Sequence, residues 1–180
     1  MNEEVTVATT ADMHALGRRL AAVLRAGDVV IMSGPLGAGK TTLTKGIGEG
    51  LGVRGPVTSP TFVIARVHPP LAAAGRLASP GPALVHADAY RLGGALELDD
   101  LDLDADTATS VTVVEWGEGL AEGLAADRLE ITITPGPADA GAGQPEDGAG
   151  GDSARTVRVS GVGERWQDIE LPPAVLADRL

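Results

Sequence analysis

The chain has 180 residues, no cysteine and a formal net charge of −11. That length fits a single domain over 1–180 that buries roughly 70% of its unfolded surface without a covalent staple, and the missing thiols exclude disulfides, iron–sulfur clusters, cysteine zinc sites and a thiol nucleophile. The charge is uneven, with 8 basic and 5 acidic side chains in residues 1–83 against 6 and 20 in residues 84–180, which argues against a uniformly basic nucleic-acid binder and leaves the first half able to receive a small anion.

VTVAT (5–9) alternates and predicts a short edge strand. From Ala11 to Ala26 the apolar residues Met13, Leu16, Leu20, Val23 and Leu24 recur in steps of three and four, one face of a helix with Thr9 or Thr10 as N-cap and Gly27 as stop. VVIMS (29–33) is a continuous apolar run, expected of a central parallel strand. A second helix is predicted from about Lys40 to Leu51, ending at Gly52. Further strands are expected at 62–68, 83–87, 111–116, 129–134 and 155–161, the last two as a hairpin.

The segments between them are less regular. Residues 69–82 are rich in Pro, Ala and Gly and read as a surface loop; 95–106 holds six acids and no base and reads as an exposed loop or short helix. Residues 135–154 are almost entirely Pro, Gly, Ala, Ser and acids and are expected to be a disordered tip. Strands alternating with helices predict an α/β layered sheet. No apolar run approaches a membrane span and the N-terminus lacks a signal pattern, so the expectation is a soluble, cytoplasmic protein.

Gly34-Pro35-Leu36-Gly37-Ala38-Gly39-Lys40-Thr41 matches the phosphate-binding loop G-x-x-x-x-G-K-[ST] in its required setting, between a buried strand and a helix. The glycines let backbone N–H groups turn toward phosphate oxygens, and the following helix presents its positive end. Lys40 is expected to reach the β- and γ-phosphates and the Thr41 hydroxyl to bind Mg²⁺. The only lysines are Lys40 and Lys45, so no Asn-Lys-x-Asp guanine reader exists and adenine is preferred. Asp88 ends ALVHAD and Glu115 ends VTVVE, both at the carboxyl ends of apolar strands where ligands bind in open α/β sheets. One would hold the metal and the other orient water; spacing does not divide the roles. VTSPTF (57–62) is a candidate γ-phosphate switch loop, His86, Tyr90 and Arg91 flank Asp88, and Trp116 follows Glu115. A small-molecule kinase and a nucleotide switch without turnover are the competing readings.

GPLGAGKTTLTKGIGEGLGV, VTSPTF, HADAYRL and VVEWGE, in that order, resemble the TsaE (YjeE) family, over roughly 10–134 and again at 155–161. The resemblance implies a P-loop NTPase three-layer sandwich with a mostly parallel sheet carrying antiparallel strands. It implies a Mg²⁺-dependent ATPase, with ATP/ADP and Mg²⁺ as ligands, that serves N6-threonylcarbamoyladenosine (t6A) formation at tRNA position 37. In such an enzyme Gly37, Ala38, Gly39, Lys40, Thr41 and Thr42 wrap the phosphates. Thr41 and Glu115 ligate Mg²⁺, and Asp88 is the catalytic or water-positioning acid. Thr10, Trp116 and Arg155 match nucleotide-contacting positions. The implied partners are TsaD and TsaB, and the acidic charge balance points to tRNA being reached only through them.

Overall fold

The computed structural model describes residues 1–60, 65–71, 81–91, 108–136 and 154–174. Within them lie strands β1 (Asn2–Val7), β2 (Val29–Ser33), β3 (Ala65–His68), β4 (Ala83–Asp88), β5 (Ser110–Glu115), β6 (Arg128–Pro135) and β7 (Arg155–Val162), and helices α1 (Thr10–Ala21) and α2 (Lys40–Leu51). The sheet order is β1-β7-β6-β2-β5-β4-β3. β6, β2, β5 and β4 are mutually parallel, and β3 and β7 run antiparallel to their neighbours. The apolar run of β2 is thus the central strand, with Val29 through Met32 all buried.

Both helices pack on one face, where Met13, Leu16, Leu20, Leu43 and Ile47 meet Val30, Met32, Val113, Ile131 and Val157 in the main core. On the other face Val29, Ile31, Val85 and Val114 meet Ala121, from the turns after β5. The helices approach closely because glycines line their contact. A Cβ on Gly46 would lie 2.4 Å from the His14 carbonyl oxygen, and one on Gly17 2.5 Å from that of Leu43.

Several expected boundaries move. Thr9, not Thr10, caps α1: its hydroxyl accepts the Asp12 N–H at 3.1 Å and the Asp12 carboxylate accepts the Thr9 N–H at 3.0 Å, a complete capping box. α1 stops at Ala21 rather than Ala26, because the Arg25 N–H turns to the Asp28 carboxylate at 2.8 Å. Leu24 stays buried beyond the helix, so the apolar periodicity outlasts the helical backbone. The strand expected through 116 ends at Glu115. The β6–β7 hairpin reaches Pro135 paired with Arg155, and one further bond joins Gly136 N–H to Ala154 O. Of the strand expected at 62–68, Ala65–His68 is described; residues 61–64, 72–80, 92–107 and 137–153 lie outside the described residues, including the acidic stretch and nearly all of the 135–154 tip.

Candidate functional site

The two helix N-termini differ. α1 satisfies its own, through Thr9 and the acid Asp12. α2 begins on Gly39, which offers no side-chain cap, and carries no acid in its first turn. Its leading N–H groups therefore have no side-chain cap, a geometry that suits an anion. Gly37 and Gly39 hold φ of 77° and 110°, values that side chains resist, and so curl the loop before the helix. Ala38 N–H closes that curl onto Pro35 O at 3.2 Å. Thr42, the third residue of α2, is half-buried.

Lys40 opens α2 with its side chain folded back under the loop. Its Nζ donates to Gly34 O at 2.7 Å and Pro35 O at 2.9 Å, and lies 3.5 Å from the centre of the Trp116 ring. Burial pushes the Lys40 ammonium below the usual lysine range, and the Glu115 and Asp88 carboxylates pull it back.

Asp88 and Glu115 are register partners at the ends of β4 and β5, both buried and facing the helices. Glu115 accepts the Thr41 hydroxyl proton at 2.9 Å (Oε1) and 3.2 Å (Oε2), and His86 Nε2 sits 2.7 Å from the same Oε1. Asp88 Oδ1 accepts the Tyr90 N–H at 3.0 Å.

After β5 the chain turns sharply. Trp116 has φ of +60°, the only described non-glycine residue with positive φ, while its N–H still bonds Met32 O at 2.8 Å. That turn places its indole over Lys40 and against the exposed Tyr90 ring, 5.0 Å between centroids. Arg155 at the start of β7 passes beside Gly39, its Cδ 4.0 Å from where a Cβ on that glycine would sit; Met13 of α1 lies on the same side at 3.2 Å. Thr10 opens α1, three residues before Met13.

The fold thus gathers Lys40, Thr41, Asp88, Glu115 and Trp116 around one loop and brings Arg155 to its edge. In the switch segment, Thr58 Oγ1 accepts from Arg66 at 2.5 Å, and Phe62 lies outside the described residues. The sequence signalled His86 only as a neighbour of Asp88, although their two-residue spacing on a strand does put both on one face.

The donor set fits a hard cation. Two buried carboxylates face one ammonium, a net negative balance, and the Thr41–Glu115 pair supplies oxygen donors at the helix end. Among the described residues no three His, Cys, Asp or Glu gather into a cage. A site with few protein oxygens suits Mg²⁺, which takes one or two carboxylates and completes its shell with water and phosphates.

Residues 7–140 match the family model described as Threonylcarbamoyl adenosine biosynthesis protein TsaE. The chain belongs to the TsaE family. A family relative from Streptomyces coelicolor, named tRNA threonylcarbamoyladenosine biosynthesis protein TsaE, is 58% identical over 86% of this chain and 93% of its own. One of the same name from Bacillus subtilis is 36% identical over 87% and 84%. The crystal structure of Bacillus subtilis YdiB superposes with a TM-score of 0.66 and 29% identity, covering 92% of this chain and 89% of that one. Among the described residues no helix is long and apolar enough to cross a membrane.

Proposed function

We propose that this chain is a cytoplasmic Mg²⁺-dependent ATPase that serves t6A modification of tRNA, working with TsaD and TsaB and meeting tRNA only through them. The family carries the biological context. The observation that carries the chemistry is the α2 N-terminus, uncapped by its own sequence and ringed by Lys40, Thr41–Glu115 and Asp88.

In this reading the loop N–H groups and the start of α2 bind the β- and γ-phosphates of ATP. Lys40 exchanges its contacts with the Gly34 and Pro35 carbonyls for phosphate oxygens. An ammonium that burial destabilises gains more from an anion than a solvated one does. Thr41 and Glu115 would hold Mg²⁺, and a bound Mg²⁺ would supply charge neutralisation at the phosphates. Asp88, its Oδ1 held by the Tyr90 N–H, orients water for in-line attack. The water oxygen bonds to the γ-phosphorus as the bond from that phosphorus to the β–γ bridging oxygen breaks, and the water's proton leaves to a phosphate oxygen or solvent, giving ADP and inorganic phosphate. Trp116 and Tyr90 shield the loop, while Thr10 and Arg155 contact the nucleotide from its edge.

Phosphate release by the purified chain, alone and with the TsaD–TsaB complex, tests this directly. Mg²⁺-dependent release stimulated by the complex and abolished in Lys40→Ala is expected. Transfer to a metabolite, or docking without release, contradicts it.

A further inference from the structure

His86 is fully buried in β4, 0% exposed, yet it is one of the most polar side chains in the core. Strand alternation puts it on the helix face with Asp88. Its Nε2 reaches Glu115 Oε1 at 2.7 Å. A carboxylate that binds a metal is ionised and only accepts hydrogen bonds, so in that reading Nε2 is the donor. The other ring nitrogen, Nδ1, is buried with no partner among the described residues. A bare lone pair is the form of Nδ1 that suits such a place, because an unpaired buried N–H costs more. One tautomer, Nε2–H, thus meets both constraints.

The contact decides how Glu115 points. The carboxylate sits at the last position of β5, directly before the backbone reverses at Trp116. Thr41 spans both its oxygens at 2.9 and 3.2 Å and so restrains the carboxylate from one side. His86 grips Oε1 from the neighbouring strand, two residues before the end of β4. Thr41 belongs to the loop–helix segment that meets the phosphates in this reading. His86 belongs to the sheet.

We infer that His86 is a positioning residue that fixes the Glu115 carboxylate from within the sheet, so that its metal-facing geometry survives when Thr41 turns its hydroxyl toward a cation. This rests on the reading of Glu115 as a metal ligand. Partners that orient metal-binding side chains typically contribute 10- to 100-fold to metal affinity or activity.

The test compares His86→Leu, which fills the space without a donor, with His86→Gln, whose amide offers an N–H near the original Nε2. Both are first checked by thermal melting. Nucleotide affinity is then measured in EDTA and across a Mg²⁺ titration. Affinity in EDTA is expected to stay at the wild-type level in both, because Lys40 and the loop are intact. The Mg²⁺ concentration for half-maximal tightening should rise about 10- to 100-fold in His86→Leu and recover most of the way in His86→Gln. A folded His86→Leu with wild-type Mg²⁺ response, or a His86→Gln no better than it, overturns the role of His86 alone. A wild type whose nucleotide affinity ignores Mg²⁺ overturns the metal reading of Glu115 itself. Nitrogen-15 spectra of the metal-free protein give a separate readout: a protonated Nε2 is expected, and an unprotonated Nε2 overturns the proposal.

Discussion

Asp28 and Glu115 are both buried carboxylates, 5% and 4% exposed, at opposite ends of the central strands. At the Asp28 end the charge is matched by protein. Arg165 Nη2 lies 3.2 Å from Asp28 Oδ2, donates also to Val23 O at 2.8 Å, and its guanidinium stacks 4.3 Å from the Trp166 ring. This clasp pins the segment after β7, with its fully buried Trp166, against the turn after α1. At the Glu115 end the cation is not spent on the carboxylates: among the described residues Lys40 forms hydrogen bonds to two carbonyls and no ion pair. One end closes on itself with an ion pair, and at the other the ammonium and the carboxylates stay unpaired with each other. Burial of charge alone does not mark a site; burial with the opposite charge left uncommitted does.

That contrast predicts that changes at the two ends separate binding from stability. Lys40→Ala is expected to weaken nucleotide binding by at least about 100-fold, some 2.7 kcal/mol, while unfolding free energy moves by no more than about 1 kcal/mol. Calorimetric titration and denaturant melts read the two quantities. Asp28→Ala should do the reverse. It strands a largely covered guanidinium and should cost about 3 kcal/mol of stability, with nucleotide affinity unchanged at temperatures where the protein is folded. Gly46→Ala forces a methyl group against the His14 carbonyl and should cost about 1–3 kcal/mol, read as a lower denaturant midpoint. Thr9→Ala removes half of the capping box and should cost about 1 kcal/mol by the same measurement. If an Asp28 variant lost nucleotide affinity as steeply as stability, the separation of the two ends would fail.

A smaller effect is set by pH. Burial, with the Arg66 charge nearby, holds His68 below the usual histidine range. Between that lowered value and about 6.5 the unfolded chain binds the extra proton, so stability rises with pH through this window and is lost as pH falls through it. His68→Leu should flatten the pH dependence of the melting temperature there.

The sequence reveals the parts that local chemistry dictates. β2, the loop and α2 follow from one contiguous motif, and the β6–β7 hairpin from alternating apolar residues on both sides of a Gly/Pro-rich tip. Asp88 and Glu115 are each legible as strand-ending acids, but only the parallel register makes them neighbours. The grip of His86 on Glu115 joins residues 29 apart and depends on that register. The left-handed turn at Trp116 is hidden because the positive φ falls on the tryptophan and not on the glycine that follows it; contacts with Met32, Tyr90 and Lys40 hold it. Trp166 lies outside every motif; it packs into the main core against Gly161, beside the Arg165–Asp28 clasp, a pairing across 137 residues that no periodicity encodes.

The most direct test of the central claim is calorimetric titration of ATP into the wild type and Glu115→Gln, each with Mg²⁺ and with EDTA. The uncommitted charge of the Glu115 end predicts that Mg²⁺ tightens binding at least about tenfold, 1.4 kcal/mol, in the wild type, and that this gain disappears in Glu115→Gln while binding in EDTA persists. Equal tightening in both proteins would contradict it.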